Sequence, residues 1–100
     1  MRQFLTLACL LALLAAPAPA ARICKPVEQG FGGTQLQPSK GRAKLAGFAD
    51  WSARVTANWG VPYARWANAM DKRTHCVRET APDGTRGWHC DVTARPCLGE

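Results

Sequence analysis

The residues with chemistry to account for are the cysteines, His75, His89, the serines Ser39 and Ser52, and a basic run of Lys40, Arg42 and Lys44. Cys76, Cys90 and Cys97 are spaced by fourteen and seven residues, so there is no Cys-x-x-Cys pair to act as a dithiol. The same spacing does not make a four-cysteine or two-cysteine, two-histidine zinc site. His75, His89 and Asp91 become neighbours if they share one face of a hairpin, and three such donors can hold a metal. Without a further donor they read as a polar, solvated face with one His–Asp pair, so neither metal nor cofactor is expected. A hydrolytic triad has no nucleophile, because Ser39 falls in a linker and Ser52 on a helix stripe. No catalytic residues are assigned, and the chain reads as non-enzymatic.

Lys40, Arg42 and Lys44 stand at or just before a helix start, where positive charge is disfavoured by the backbone dipole. Their plain reading is a frayed, solvated end. Their functional reading is contact with an anion beside exposed helix N–H groups. Trp51, Trp59, Trp66 and Trp88 could stack on a ligand, but a small domain needs large apolar residues for its core. Trp59 and Trp88 are expected inside, leaving Trp51 or Trp66 to spare.

The first twenty residues have the form of a secretory signal: Arg2, an apolar run from Phe4 to Ala16, and Ala18-Pro19-Ala20 as a small-residue cleavage site. The run is too short to span a bilayer, which takes about 20 apolar residues. Cys9 leaves with it, because Thr6-Leu7-Ala8 makes a poor lipobox. Cys24, Cys76, Cys90 and Cys97 remain, and an even count in a small exported chain reads as two disulfides. Losing Arg2 leaves twelve basic against seven acidic side chains, a net charge of +5 that favours anionic partners. The location is periplasmic or secreted, with no transmembrane segment after cleavage; nucleic acid is not the expected partner.

Residues 21–40 carry Pro26, Gly30, Gly32, Gly33 and Pro38 among polar residues and read as an extended arm without helix or strand. From Gly41 to Trp59, Leu45, Phe48, Ser52, Val55 and Trp59 recur at helical steps, and Gly60 is a stop. Pro62 suits the first position of a short second helix with Tyr63, Trp66 and Met70 on one face; the rival is a third strand over the same residues. Ala81-Pro82-Asp83-Gly84 is a hairpin turn signal. A three-residue loop closed by Ala81 and Thr85 sets Cys76 opposite Cys90, Arg78 opposite Trp88 and His75 opposite Asp91. That register predicts a Cys76–Cys90 disulfide, with Cys24–Cys97 following by elimination. Cys76, Arg78, Trp88, Cys90 and Val92 are expected on the buried face, Arg78 covering the Trp88 ring, and the chain is expected to leave the sheet at Ala94. The fold class is α+β: an amphipathic helix and a short second helix packed on a disulfide-stapled hairpin, with residues 41–100 as the domain.

The succession of Trp51 and Val55 on a helix, Gly60, Tyr63-x-x-Trp66, Cys76, Trp88-x-Cys90 and Pro96-Cys97 resembles small exported proteobacterial proteins of unknown function. The resemblance runs from about residue 41 to 97. It implies a bacterial, periplasmic setting and transfers no site residues. The expected function is an exported binding module whose basic surface meets an anionic envelope component or an acidic protein. The alternative is a small effector or inhibitor that acts through its hairpin tip, Pro82-Asp83-Gly84.

Overall fold

Ser39 opens the main helix: its extended backbone leaves the side chain free to accept a hydrogen bond from Arg42 N at 3.2 Å. In the computed structural model, which describes residues 22–33 and 35–99, this helix is α1, Lys40–Trp59. Gly60 ends it at φ 97°, a conformation suited to glycine, and donates to Thr56 O at 3.1 Å. The strands are β1 (Glu28–Phe31), β2 (Met70–Thr80) and β3 (Arg86–Arg95), in one antiparallel sheet of order β1-β3-β2. The signal-peptide reading of residues 1–20, Cys9 included, lies outside the described residues.

The hairpin takes the register set by its turn. Ala81 N donates to Thr85 O at 2.7 Å, Gly84 N donates to Ala81 O at 2.9 Å, and Gly84 sits at φ 87°. Thr85 N also donates to Asp83 Oδ1 at 2.9 Å, which secures the loop from within. Cys76 faces Cys90, Arg78 faces Trp88, and His75 faces Asp91. Both expected disulfides are present, Cys76–Cys90 and Cys24–Cys97. The second belongs to a small antiparallel bridge that also pairs Lys25 N with Pro96 O and Leu98 N with Ile23 O.

Four expectations are corrected. The arm is not strandless: Glu28–Phe31 pairs with Asp91–Ala94 and supplies the third strand. Pairing rather than propensity makes it a strand, since one residue in the run is glycine. The segment after Gly60 is neither a second α-helix nor a strand but two single 3₁₀ turns, Val61–Tyr63 and Trp66–Asn68. Between them Arg65 has extended backbone (φ −86°, ψ 113°), so helical bonding does not continue. β3 does not leave the sheet at Ala94, which is buried and paired with Glu28.

The fourth correction is the helix face. Leu45 and Trp59 are exposed, and the buried stripe is Ala43, Gly47, Trp51 and Val55. Small residues decide this. A Cβ on Gly30 would come within 2.5 Å of Gly47 O and 2.6 Å of Trp51 Cβ, so the backbones of β1 and α1 nearly touch. That close approach places Trp51 over Val92 and Ala94 in the core, its indole N–H donating to Ala94 O at 3.3 Å. Trp66 closes the side of this core, 4.6 Å from Phe48 in a stacked arrangement and 5.1 Å from Trp51 edge-on.

Candidate anion-binding surface

α1 lies over β1 and β3 and only grazes β2. β2 is therefore exposed along most of its length, and the strip of its helix-side face beyond α1 is open. Arg78, expected on the buried face over the Trp88 ring with its guanidinium reaching solvent, is exposed there.

Alternation along the hairpin sorts the charges. Side chains at even positions point to the helix side: Thr74, Cys76, Arg78 and Thr80 on β2, with Arg86, Trp88 and Cys90 opposite. Of the hairpin carboxylates, Glu79 and Asp91 lie on the other face by alternation, Asp71 falls at the register shift and lines a cleft with Val27 and Thr93 on that face, and Asp83 lies in the turn. Of the remaining described carboxylates, Glu28 pairs with Asn58 and Asp50 with Arg54, along the β1 flank of the helix. The open strip thus has basic side chains and, among the described residues, no acidic one.

The helix adds to this strip from above. Lys44, Phe48 and Ser52 share one flank by helical spacing, and that flank faces the turn segment: Phe48 stacks on Trp66, and Ser52 Oγ donates to Ala64 O at 2.9 Å. Lys40 Nζ lies 5.8 Å from the centre of the Trp88 ring, and Lys72 Nζ lies 5.8 Å from that of Trp66. The cation above Trp88 is thus Lys40, not Arg78 as the sequence suggested. Of the three basic residues singled out at the helix start, Lys40 and Lys44 lie on the β2 side. Arg42 is exposed, on the opposite side of the helix by its spacing. Lys72, Arg78 and Arg86 were missed as site residues, although strand alternation in the hairpin register already put Arg78 and Arg86 on the helix side.

The opposite sheet face is of mixed charge. His89 Nε2 lies 2.8 Å from Asp91 Oδ1, a pair along one strand, while His75 stands across from Asp91 and is exposed. Among the described residues no group of His, Cys, Asp or Glu is arranged to hold a metal. Ser39 caps the helix and Ser52 braces the turn segment. Trp59, expected inside, is half exposed with Lys25 Nζ 5.0 Å from its ring; of Trp51 and Trp66, either of which was to be spare, Trp51 is wholly buried and Trp66 is half-buried.

Asp50 shows how an acid is held away from the strip. Partial burial raises its pKa, but the Phe31 N–H at 2.7 Å and the Arg54 guanidinium at 2.9 Å outweigh this and hold the carboxyl below its ordinary value. Arg54 is thereby engaged on the β1 side, 5.0 Å from the Phe31 ring.

No protein-family model, curated protein or solved structure matches this chain. Among the described residues no helix is long and apolar enough to cross a membrane. The two disulfides fit an oxidising compartment.

Proposed function

We propose that this protein is an exported, non-catalytic binding module of the periplasm or cell exterior, and that its cationic strip engages an anionic envelope component or an acidic protein. One observation carries the reading: Lys40, Lys44, Lys72, Arg78 and Arg86 gather on one side of the sheet while the described carboxylates lie elsewhere. None of these five cations makes an ion pair with a described residue. An unpaired row of one sign concentrates counter-ions and steers an oppositely charged ligand, and its effect weakens as salt screens it. The signal-like first twenty residues, the disulfides and the resemblance to small exported proteobacterial proteins support the setting.

Binding to anionic vesicles, lipopolysaccharide and a soluble acidic polymer, each titrated at low and raised salt, tests the proposal. Binding at low salt that falls steeply with added salt is the expected result. No binding to any of the three at low salt would overturn it.

A further inference from the structure

The strip ends at a strand edge whose backbone is available. Trp88 exchanges backbone hydrogen bonds with Gln37, 2.8 Å each way, so its N–H and C=O point toward the β1 side of the sheet and away from β2. Trp88 and its β2 partner are therefore a non-hydrogen-bonded pair, and in an antiparallel ladder both members of such a pair turn their backbone groups outward. Arg78 is the partner of Trp88, so its N–H and C=O point out of the free edge of β2, and alternation gives Thr74, Cys76 and Thr80 the same direction. No hydrogen bond from another described element reaches these groups. The opposite edge of the sheet differs. β1 is four residues long, and the outward N–H of Phe31 is taken by Asp50 Oδ2 at 2.7 Å.

We infer that β2 accepts an extended acidic segment of a partner protein as a fourth, antiparallel strand. The inference rests on the anion-binding reading above and names its ligand. The residues that offer outward backbone groups are Thr74, Cys76, Arg78 and Thr80; Arg78 is the basic one among them, and their side chains share the helix-side face with Arg86, beside Lys40 and Lys44 of the helix. An added strand therefore sets every second side chain beside Arg78 and its neighbours, where Asp or Glu is complementary; main-chain bonds give affinity and the alternating side chains give specificity. A second copy of this chain is the poorer occupant, because antiparallel self-pairing through the same groups brings two surfaces of the same sign together, each with Arg78 at the shared edge.

Three synthetic peptides of about ten residues test the inference by fluorescence anisotropy at low salt: alternating Glu and Thr, the same composition as a Glu block followed by a Thr block, and the alternating peptide N-methylated at each Glu. The alternating peptide is expected to bind tightest. Losing two or three hydrogen bonds should weaken the N-methylated form roughly tenfold or more. Amide exchange at Thr74 and Arg78 should slow only with the unmethylated alternating peptide. Thr74→Pro, which removes one outward N–H and leaves the β3 ladder intact, should weaken the alternating peptide but not the block peptide. Equal binding of all three peptides would overturn the inference while leaving the anion-binding reading standing. Failure of all three peptides together with vesicles and acidic polymer would remove both. A dimer in sedimentation with Thr74 and Arg78 amides already protected would assign the edge to a second copy, against the inference.

Discussion

Gly30 governs how near the helix comes to the sheet, because any side chain there meets Gly47 O at 2.5 Å. Gly30→Ala should therefore destabilise the fold by about 1–3 kcal/mol, as overpacking does, whereas Gly41→Ala, with open space around it inside α1, should stabilise by roughly 0.5–1 kcal/mol. Urea midpoints of the two variants check this, and a neutral Gly30→Ala would contradict it. Asp50 gives a pH prediction. Its folded pKa lies below the ordinary 3.8, so its contribution is complete above that value and is lost as pH falls through the depressed one. Asp50→Asn should lower stability at neutral pH and flatten the acid limb of the stability curve. A limb as steep as that of the parent would show that Asp50 contributes nothing. Neither role was legible in the sequence: Gly30 lay in an arm with no visible pattern, and Asp50 became important only once β1 placed an N–H beside it.

At the scale of elements, the hairpin was legible because its register follows from local turn chemistry: Pro82, Asp83 and Gly84 determine which residues oppose each other. The helix was legible as a helix but its face was not. Large apolar residues at Leu45 and Trp59 suggested one stripe, while close approach to Gly30 and Gly47 selected another made of small residues and Trp51. β1 was missed for a related reason, since its pairing with β3 is long-range and its own propensity is weak. The disulfides divide the stabilisation by loop length. Cys24 and Cys97 are separated by 73 residues and Cys76 and Cys90 by 14. The chain-entropy estimate is about 4.5 kcal/mol for the longer loop and about 3 kcal/mol for the shorter. Cys24→Ser with Cys97→Ser should accordingly lower the midpoint more than Cys76→Ser with Cys90→Ser, as read by guanidinium denaturation; the reverse order would show that the hairpin staple dominates. Replacing Pro82-Asp83-Gly84 with Gly-Ser-Gly should leave anion binding unchanged, because the tip lies outside the cationic strip. Loss of binding in that variant would favour the effector reading, in which the tip is the contact.

At the scale of the whole molecule, the sequence shows a positive balance, and the fold distributes it. Strand alternation separates the hairpin carboxylates from Arg78 and Arg86, and part of that separation was legible once the register was known. That α1 leaves β2 uncovered was not, because it depends on the third strand shifting the sheet centre to β3. The site is thus a consequence of topology acting on an ordinary basic composition. Two double variants with the same net charge test this most directly: Lys40→Glu with Arg78→Glu on the strip, and Arg42→Glu with Arg73→Glu off it. Each reverses one cation at the helix start and one on β2, so general electrostatics treats them alike. Affinity for the acidic polymer, measured across a salt series, should fall at least about tenfold for the strip variant and lose much of its salt dependence, while the other variant stays within about threefold of the parent. Equal losses in both variants would contradict the account, because they would mean that net charge alone, and not the carboxylate-free strip, binds the anion.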